Sequence, residues 1–194
     1  MEIRNMKTGL AFVGLFLGLG TLGCGSSASG GSFPTLNAAD FGTHFKFADN
    51  QVSGWTQSTF PGSFNTYTGD ELVTAVDGGA GVYVDKGMRV CMSQDLMGTD
   101  PQIVTVWAYD FTTAAKAKDM FDWKKSDSSA SATIPNYDGS VAIGAATSSG
   151  LSAIAHFNSL YFEVMLSGYG DQKTTCSACP VAPKFLDVFK TKSN

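Results

Sequence analysis

Leu151-Ser152-Ala153-Ile154-Ala155-His156-Phe157-Asn158-Ser159-Leu160-Tyr161-Phe162-Glu163-Val164-Met165-Leu166-Ser167 is two apolar runs joined by a polar pair. The runs are rich in Ile, Val, Phe and Tyr, the composition of strands. Asn158-Ser159 has the length and chemistry of a tight hairpin turn. A third run, Val141–Ala146, precedes them, with Thr147–Gly150 as the turn between. Strands joined by such short turns pair antiparallel, because a parallel pair needs a crossover of roughly a dozen residues.

Upstream, Gln102–Phe111 is the strongest strand of the chain, with Ile, Val, Trp and Tyr in succession. Met88–Leu96 alternates, which puts Met88, Val90 and Met92 on one face and Arg89, Cys91 and Ser93 on the other. Thr99-Asp100-Pro101 makes the turn between these two. Phe45 and Phe47 flank Lys46 and read as a short strand or turn. Val52–Phe60, around Trp55, reads as another, closed by Pro61-Gly62.

Helical patterns lie between the strands. Thr68-Gly69-Asp70-Glu71 is a capping box, and Leu72, Val76, Ala80 and Tyr83 follow at helical spacing. Gly78 and Gly79 weaken this helix by about 1 kcal/mol each relative to Ala, while their missing Cβ atoms allow close approach to a sheet. Gly87 is its stop. Thr112 or Thr113 caps a second helix to about Lys125, with Ala114, Ala117 and Phe121 as its stripe and Lys124-Lys125 at its negative end. Residues 126–139 read as a polar loop. Val181, Phe185, Val188 and Phe189 define a terminal amphipathic helix starting near Pro180. The expected class is α+β, a mainly antiparallel sheet with two or three helices packed on it.

The front of the chain is an address. Arg4 and Lys7 precede the apolar segment Leu10–Leu22, which is too short to span a bilayer at about 20 residues but fits a secretory signal. Gly23-Cys24 ends it, and Gly25–Ser32 contains only Gly, Ser and Ala, a flexible tether. The expected organisation is a signal peptide over 1–23, a lipidated Cys24 with its tether over 24–32, and one globular domain over 33–194.

Gly23-Cys24 resembles the lipobox of bacterial lipoproteins, with Thr21-Leu22 departing from the usual approach to the cysteine. The resemblance implies acyl chains on Cys24 and a place in the cell envelope. Since Gly25 is not Asp, it implies the outer membrane in a Gram-negative cell, facing the periplasm or the surface. Stable attachment takes two chains or more. Within the domain, Tyr67–Met88 resembles a family of secreted and lipid-anchored bacterial domains of unknown function. Their core reads Asn-Gly-Gly-Ala-Glu-x-Tyr-x-x-Tyr-Gly-Phe. Gly78, Gly79, Ala80, Tyr83 and Gly87 agree with it, as does an upstream Gly54-Trp55. Asp77 replaces the Asn and Gly81 the Glu. The resemblance implies an α+β fold and a lipoprotein context, and it supplies no chemistry.

Charge narrows the partners. The chain has 13 Lys+Arg against 17 Asp+Glu; beyond residue 23 the balance is 11 against 16, with no basic cluster. Nucleic acid is therefore not an expected partner, and attachment to the membrane falls to the lipid anchor rather than to surface charge. A protein or small-molecule partner is left open.

Cys176-Ser177-Ala178-Cys179 is the one motif with a catalytic look, a CxxC before an amphipathic helix. Without a thioredoxin-like βαβ pattern before it, a structural disulfide among Cys91, Cys176 and Cys179 is the favoured reading. An envelope thiol–disulfide enzyme using Cys176 and Cys179 is the alternative. A zinc site of Cys91, Cys176, Cys179 and His156 lacks a second CxxC, so no metal and no cofactor are expected. His44 and His156 read as ordinary hydrogen-bonded or exposed side chains. Asp77 and Asp85 share a face if one helix carries both, and a solvated face is the expected role. Trp55, Phe60, Phe64, Tyr67, Trp107, Tyr109, Tyr161 and Tyr169 are assigned to the core and sheet faces, with some free to line a ligand groove. No nucleophile elbow, P-loop or zincin motif occurs. The expected protein is a non-enzymatic envelope lipoprotein.

Overall fold

The computed structural model describes residues 33–76, 79–98, 102–127, 131–132, 141–147, 150–167 and 181–194. At its centre is the hairpin of β7 (Gly150–Phe157) and β8 (Leu160–Ser167). Asn158 turns the chain between them with φ 52°, the left-handed conformation that Asn tolerates. β6 (Val141–Thr147) pairs with β7, and the short β5 (Ser131–Ala132) with β6. On the other side of β8 lies β4 (Ile103–Phe111), then β3 (Met88–Met97). The far edge of β3 is shared by β1 (Thr56–Gln57) and β2 (Phe64–Thr68). Every pairing among these eight strands is antiparallel. The fold is α+β, as the sequence predicts.

Both faces of the sheet are apolar, and helices cover each. One face carries Val90, Met92, Val104, Val106, Phe162 and Val164 beneath α1 (Ala38–Phe45) and α5 (Ala182–Lys192). Phe41 and Phe45 of α1 meet Phe185 and Phe189 of α5 in this layer, all fully buried, with Phe162 and Phe189 stacked at 4.4 Å. The other face carries Cys91, Tyr109, Ile154 and Tyr161 beneath α2 (Gly69–Ala75), α3 (Ala80–Asp85) and α4 (Ala114–Asp127). A strand buried on both faces loses the apolar–polar alternation, which is why Leu160–Val164 is nearly continuous in hydrophobic residues.

The structure corrects the reading of Phe45–Phe47. Residues 38–45 are a helix, capped by Asn37, whose Oδ1 accepts from the Asp40 backbone N–H at 2.9 Å. The informative spacing is Phe41 to Phe45, one helical turn, rather than the alternation about Lys46. Phe47 follows the helix, and Gln94 of β3 completes its backbone: the Phe47 N–H donates to Gln94 Oε1 at 2.8 Å, and Gln94 Nε2 donates to the Phe47 carbonyl at 3.0 Å. The expected strand over Val52–Phe60 shrinks to Thr56–Gln57, and the longer partner on that edge of β3 is β2.

The single helix expected from Thr68 to Gly87 is two. α2 ends at Ala75 and α3 begins at Ala80. The capping box is present: Glu71 accepts from the Thr68 backbone N–H and hydroxyl, each at 2.8 Å, and these bonds lower its carboxyl pKa. Gly87 ends α3 with φ +90°, as its role as a stop requires.

Within β3 a register shift between Met88 and Val90 overturns the simple alternation. Met88 packs with Cys91 on the α4 side, whereas Val90 and Met92 face α1 and α5. The irregularity also accommodates Arg89, which pairs with the buried Asp110 and donates to Thr35 Oγ1 at 2.7 Å. Burial pushes the Asp110 carboxyl above its ordinary range, while Arg89 and the Ser159 hydroxyl pull it back.

α4 runs to Asp127, and its buried stripe is Ala117, Met120 and Phe121; Ala114 is exposed. In α5, Leu186 is buried and Val188 only partly so. His44 and Lys192 join the C-terminal ends of α1 and α5: His44 Nε2 donates to the Lys192 carbonyl at 2.7 Å, and Lys192 Nζ to the His44 carbonyl at 2.8 Å. No helix among the described residues is long and apolar enough to cross a membrane.

Candidate functional site

The pairing of β4 with β8 sets Trp107 directly opposite Glu163. Directly opposed residues hold their Cβ atoms about 4.5–5.5 Å apart, so the indole and the carboxylate are neighbours on the face toward α4. One rung along, Cys91, Tyr109, Tyr161 and His156 form a row, with Tyr67 at its β2 end. Trp107 and Tyr109 stack with ring centres 5.7 Å apart and planes within 10°, and Tyr67 stacks with Trp107 at 6.5 Å. Tyr83, on α3, lies over Tyr109 at 4.7 Å. The outcome is a bank of parallel rings on the sheet face.

α2, α3 and α4 do not close over this bank completely. They leave a cleft of about 560 Å³ with Trp107, Tyr109 and Glu163 on its floor. Tyr83, Ala80 and Leu72 form one wall, and Trp123, Lys124 and Asp127 of α4 the other. Met165, 39% exposed, stands at its margin. The size and the mixture of aromatic walls with a few polar groups are those of a small-molecule site.

Glu163 is the polar centre. Its side chain is 4% exposed, and Lys124 Nζ lies 3.3 Å from Oε1. The Tyr83 hydroxyl donates to Oε2, also at 3.3 Å. Both contacts are long for hydrogen bonds to a charged oxygen, which settle near 2.7–2.9 Å. Burial raises the Tyr83 phenol well above its ordinary pKa, and the nearby carboxylate raises it further; Tyr109 and Tyr161 shift the same way for the same first cause. All three tyrosines are thus neutral donors at physiological pH. The Tyr161 hydroxyl, fully buried beside this cluster, has no hydrogen-bond partner among the described residues.

Of the site candidates the sequence singles out, Ala80, Tyr83, Trp107 and Tyr109 reach the cleft, and Gly79 stands at the N-terminus of α3 on its rim. Gly87 shapes the exit from α3. Gly54 and Trp55 lie elsewhere: Gly54 turns with φ +85°, and Trp55 is buried against Phe185 of α5. Gly78 and Asp77 lie outside the described residues, and the break between α2 and α3 removes the continuous helix that would align Asp77 with Asp85. Cys24, Cys176, Cys179 and Tyr169 lie outside the described residues as well.

Cys91 is a free thiol among the described residues, fully buried in mid-sheet. Burial pushes its pKa up to about 12, so it is a protonated thiol rather than a thiolate nucleophile at neutral pH. His156 packs its ring against Phe121 at 5.1 Å. No group of three potential metal ligands occurs among the described residues. Phe60 is 63% exposed, and Phe64 carries the Lys46 ammonium 4.6 Å above its ring.

The sequence reading passed over Glu163 and Lys124. The signal for Glu163 is there: it is the lone charge inside the apolar run Leu160–Leu166, and a carboxylate is rarely buried without a partner. Lys124 gave no such signal, since a lysine in the last turn of a helix is explained by the helix dipole alone.

No family model and no curated protein matches the chain. Among solved structures, the extracellular domain of PknH from Mycobacterium tuberculosis is similar with a TM-score of 0.46 and 16% identity, over 80% of this chain and 92% of that one. A likeness at that level carries no argument about function.

Proposed function

We propose that this chain is a lipid-anchored, non-enzymatic binding domain of the bacterial cell envelope, and that its ligand is a small molecule held in the cleft between α2, α3 and α4. The observation that carries the proposal is the cleft itself: about 560 Å³, aromatic on its walls, with a buried carboxylate on its floor. Its described lining contains no Ser, Thr, Cys or His, so it holds no serine-, threonine- or cysteine-type nucleophile and no imidazole base. The envelope setting rests on Cys24 and the short apolar segment before it, and the tether over 25–32 lets the domain stand clear of the bilayer. The likeness of Tyr67–Met88 to lipid-anchored bacterial domains supports the same setting.

Two experiments test the two halves. Mass spectrometry of the N-terminus of protein made in a bacterial host is expected to find Cys24 as the first residue, carrying diacylglycerol. An unmodified Cys24, or a start elsewhere, refutes the anchor. For the cleft, a small-molecule screen read by thermal shift is expected to yield ligands whose effect disappears in Trp107→Ala and persists in a surface variant such as Phe60→Ala. Ligands that ignore Trp107 refute the site.

A further inference from the structure

We infer that the cleft selects an organic cation, an amine or quaternary ammonium attached to an apolar body, with Glu163 receiving the charge and Lys124 occupying its place when the cleft is empty. This rests on the cleft being the binding site.

The first support is the state of Glu163. A carboxylate offers about four lone-pair positions, and this one, almost wholly buried, has two long contacts among the described residues, with Lys124 and Tyr83. A buried charge held so loosely is costly to keep. A ligand able to approach at 2.8 Å therefore gains more here than at a carboxylate already engaged by a guanidinium, as Asp110 is by Arg89. The second support is the surroundings. Trp107 is directly across the sheet from Glu163, and Tyr109, Tyr83 and Trp123 face the same space. Ring faces attract a cation within about 6 Å of their centres, and such cages favour alkylated ammonium groups in particular. A carboxylate with aromatic rings on several sides satisfies a cation through both terms at once, whereas an anionic ligand is repelled by Glu163 and Asp127. The third is the position of Lys124. It lies in the last turn of α4, 24% exposed, on a flexible four-carbon stem, so it can swing toward water as a ligand ammonium replaces it. The cleft is several times larger than an ammonium group alone, which is why the cation must carry an apolar body.

Isothermal titration with three probes of one shape decides the matter: 4-phenylbutylamine, 4-phenylbutanol and 4-phenylbutyrate. The amine is expected to bind at least tenfold more tightly than the alcohol, with the acid weakest. Glu163→Gln is expected to erase the preference for the amine. Lys124→Met is expected to strengthen amine binding severalfold, because the internal competitor is gone, and a merely structural role for Lys124 would not do that. Circular dichroism and the melting temperature of each variant verify folding; if Glu163→Gln does not fold, the Lys124→Met result alone decides. Alcohol or acid binding as tightly as the amine, or Lys124→Met weakening the amine, overturns the inference while leaving the cleft as a binding site. Failure of all three probes overturns both.

Discussion

Gly42→Ala puts the packing of α1 to a quantitative test. In an exposed helix interior this exchange is favourable by about 1 kcal/mol, so propensity alone predicts a more stable protein. Here the added Cβ would stand 2.1 Å from Thr66 Cγ2 of β2, where carbon atoms normally rest at about 3.5–4.0 Å. Thr66 is β-branched and has little freedom at χ1, so the overlap passes to the backbone. Overpacking of this kind costs about 1–3 kcal/mol, and an overlap near 1.5 Å belongs at the upper end. The expected net change is a loss of about 2 kcal/mol, measured by urea unfolding followed by far-ultraviolet circular dichroism. Thr66→Ala removes the methyl and leaves Phe64 Cζ at 3.3 Å and the residue 66 Cβ at 3.5 Å, which is tight but tolerable. In that background Gly42→Ala should be neutral or stabilising by up to about 1 kcal/mol. The sign reversal is the test. Equal costs in the two backgrounds, or stabilisation in the parent, would show that α1 does not approach β2 through Gly42.

Three further outcomes follow from other parts of the fold. Gln94→Leu strips both partners from the Phe47 backbone in a buried layer, and a loss of about 2–4 kcal/mol is expected by denaturant titration from two unmet groups; a change below about 0.5 kcal/mol would mean that water replaces the amide. Cys91 should resist iodoacetamide in the native protein and react after denaturation. With its folded pKa near 12 against an ordinary value of 9.0, the unfolded chain releases the thiol proton first. Stability should then fall as pH rises from about 9 toward 12, with a slope near 1.4 kcal/mol per unit, and Cys91→Ala should reduce that slope; an unchanged slope counts against the buried thiol as its source. Gly87→Ala forces a side chain into φ +90°, which costs about 1–2 kcal/mol and should lower the melting temperature by a few degrees, whereas Gly81→Ala on open surface should not.

Local chemistry wrote much of the architecture directly into the sequence. Asn158-Ser159 between two apolar runs specified a hairpin, because turn geometry and strand composition act over a few residues. Thr68 with Glu71 specified a helix start for the same reason, and Gly87 its end. α1 was misread because Phe45–Phe47 fits alternation while Phe41–Phe45 fits a helix, and the Asn37 cap decides between them only once its side chain is seen to bond Asp40. The break between α2 and α3 was only hinted at by Gly78-Gly79, and the register shift at Arg89 was illegible, since pairing between strands shows only once they are assembled.

The proposed envelope address rests on the sequence alone: a signal such as that proposed for Arg4, Lys7, the apolar segment and Cys24 is read as an unfolded string, so order and composition suffice. The candidate site is a tertiary property. Trp107 and Glu163 are 56 positions apart in the chain and meet because the β4–β8 register sets them opposite each other. One residue of slip would send the carboxylate to the other face, against Phe45 and Phe189. Tyr83 and Lys124 arrive from helices whose placement depends on burying Ala80, Ala117 and Phe121. Turns and caps are settled between near neighbours, but a cleft is settled by how separate elements share one core.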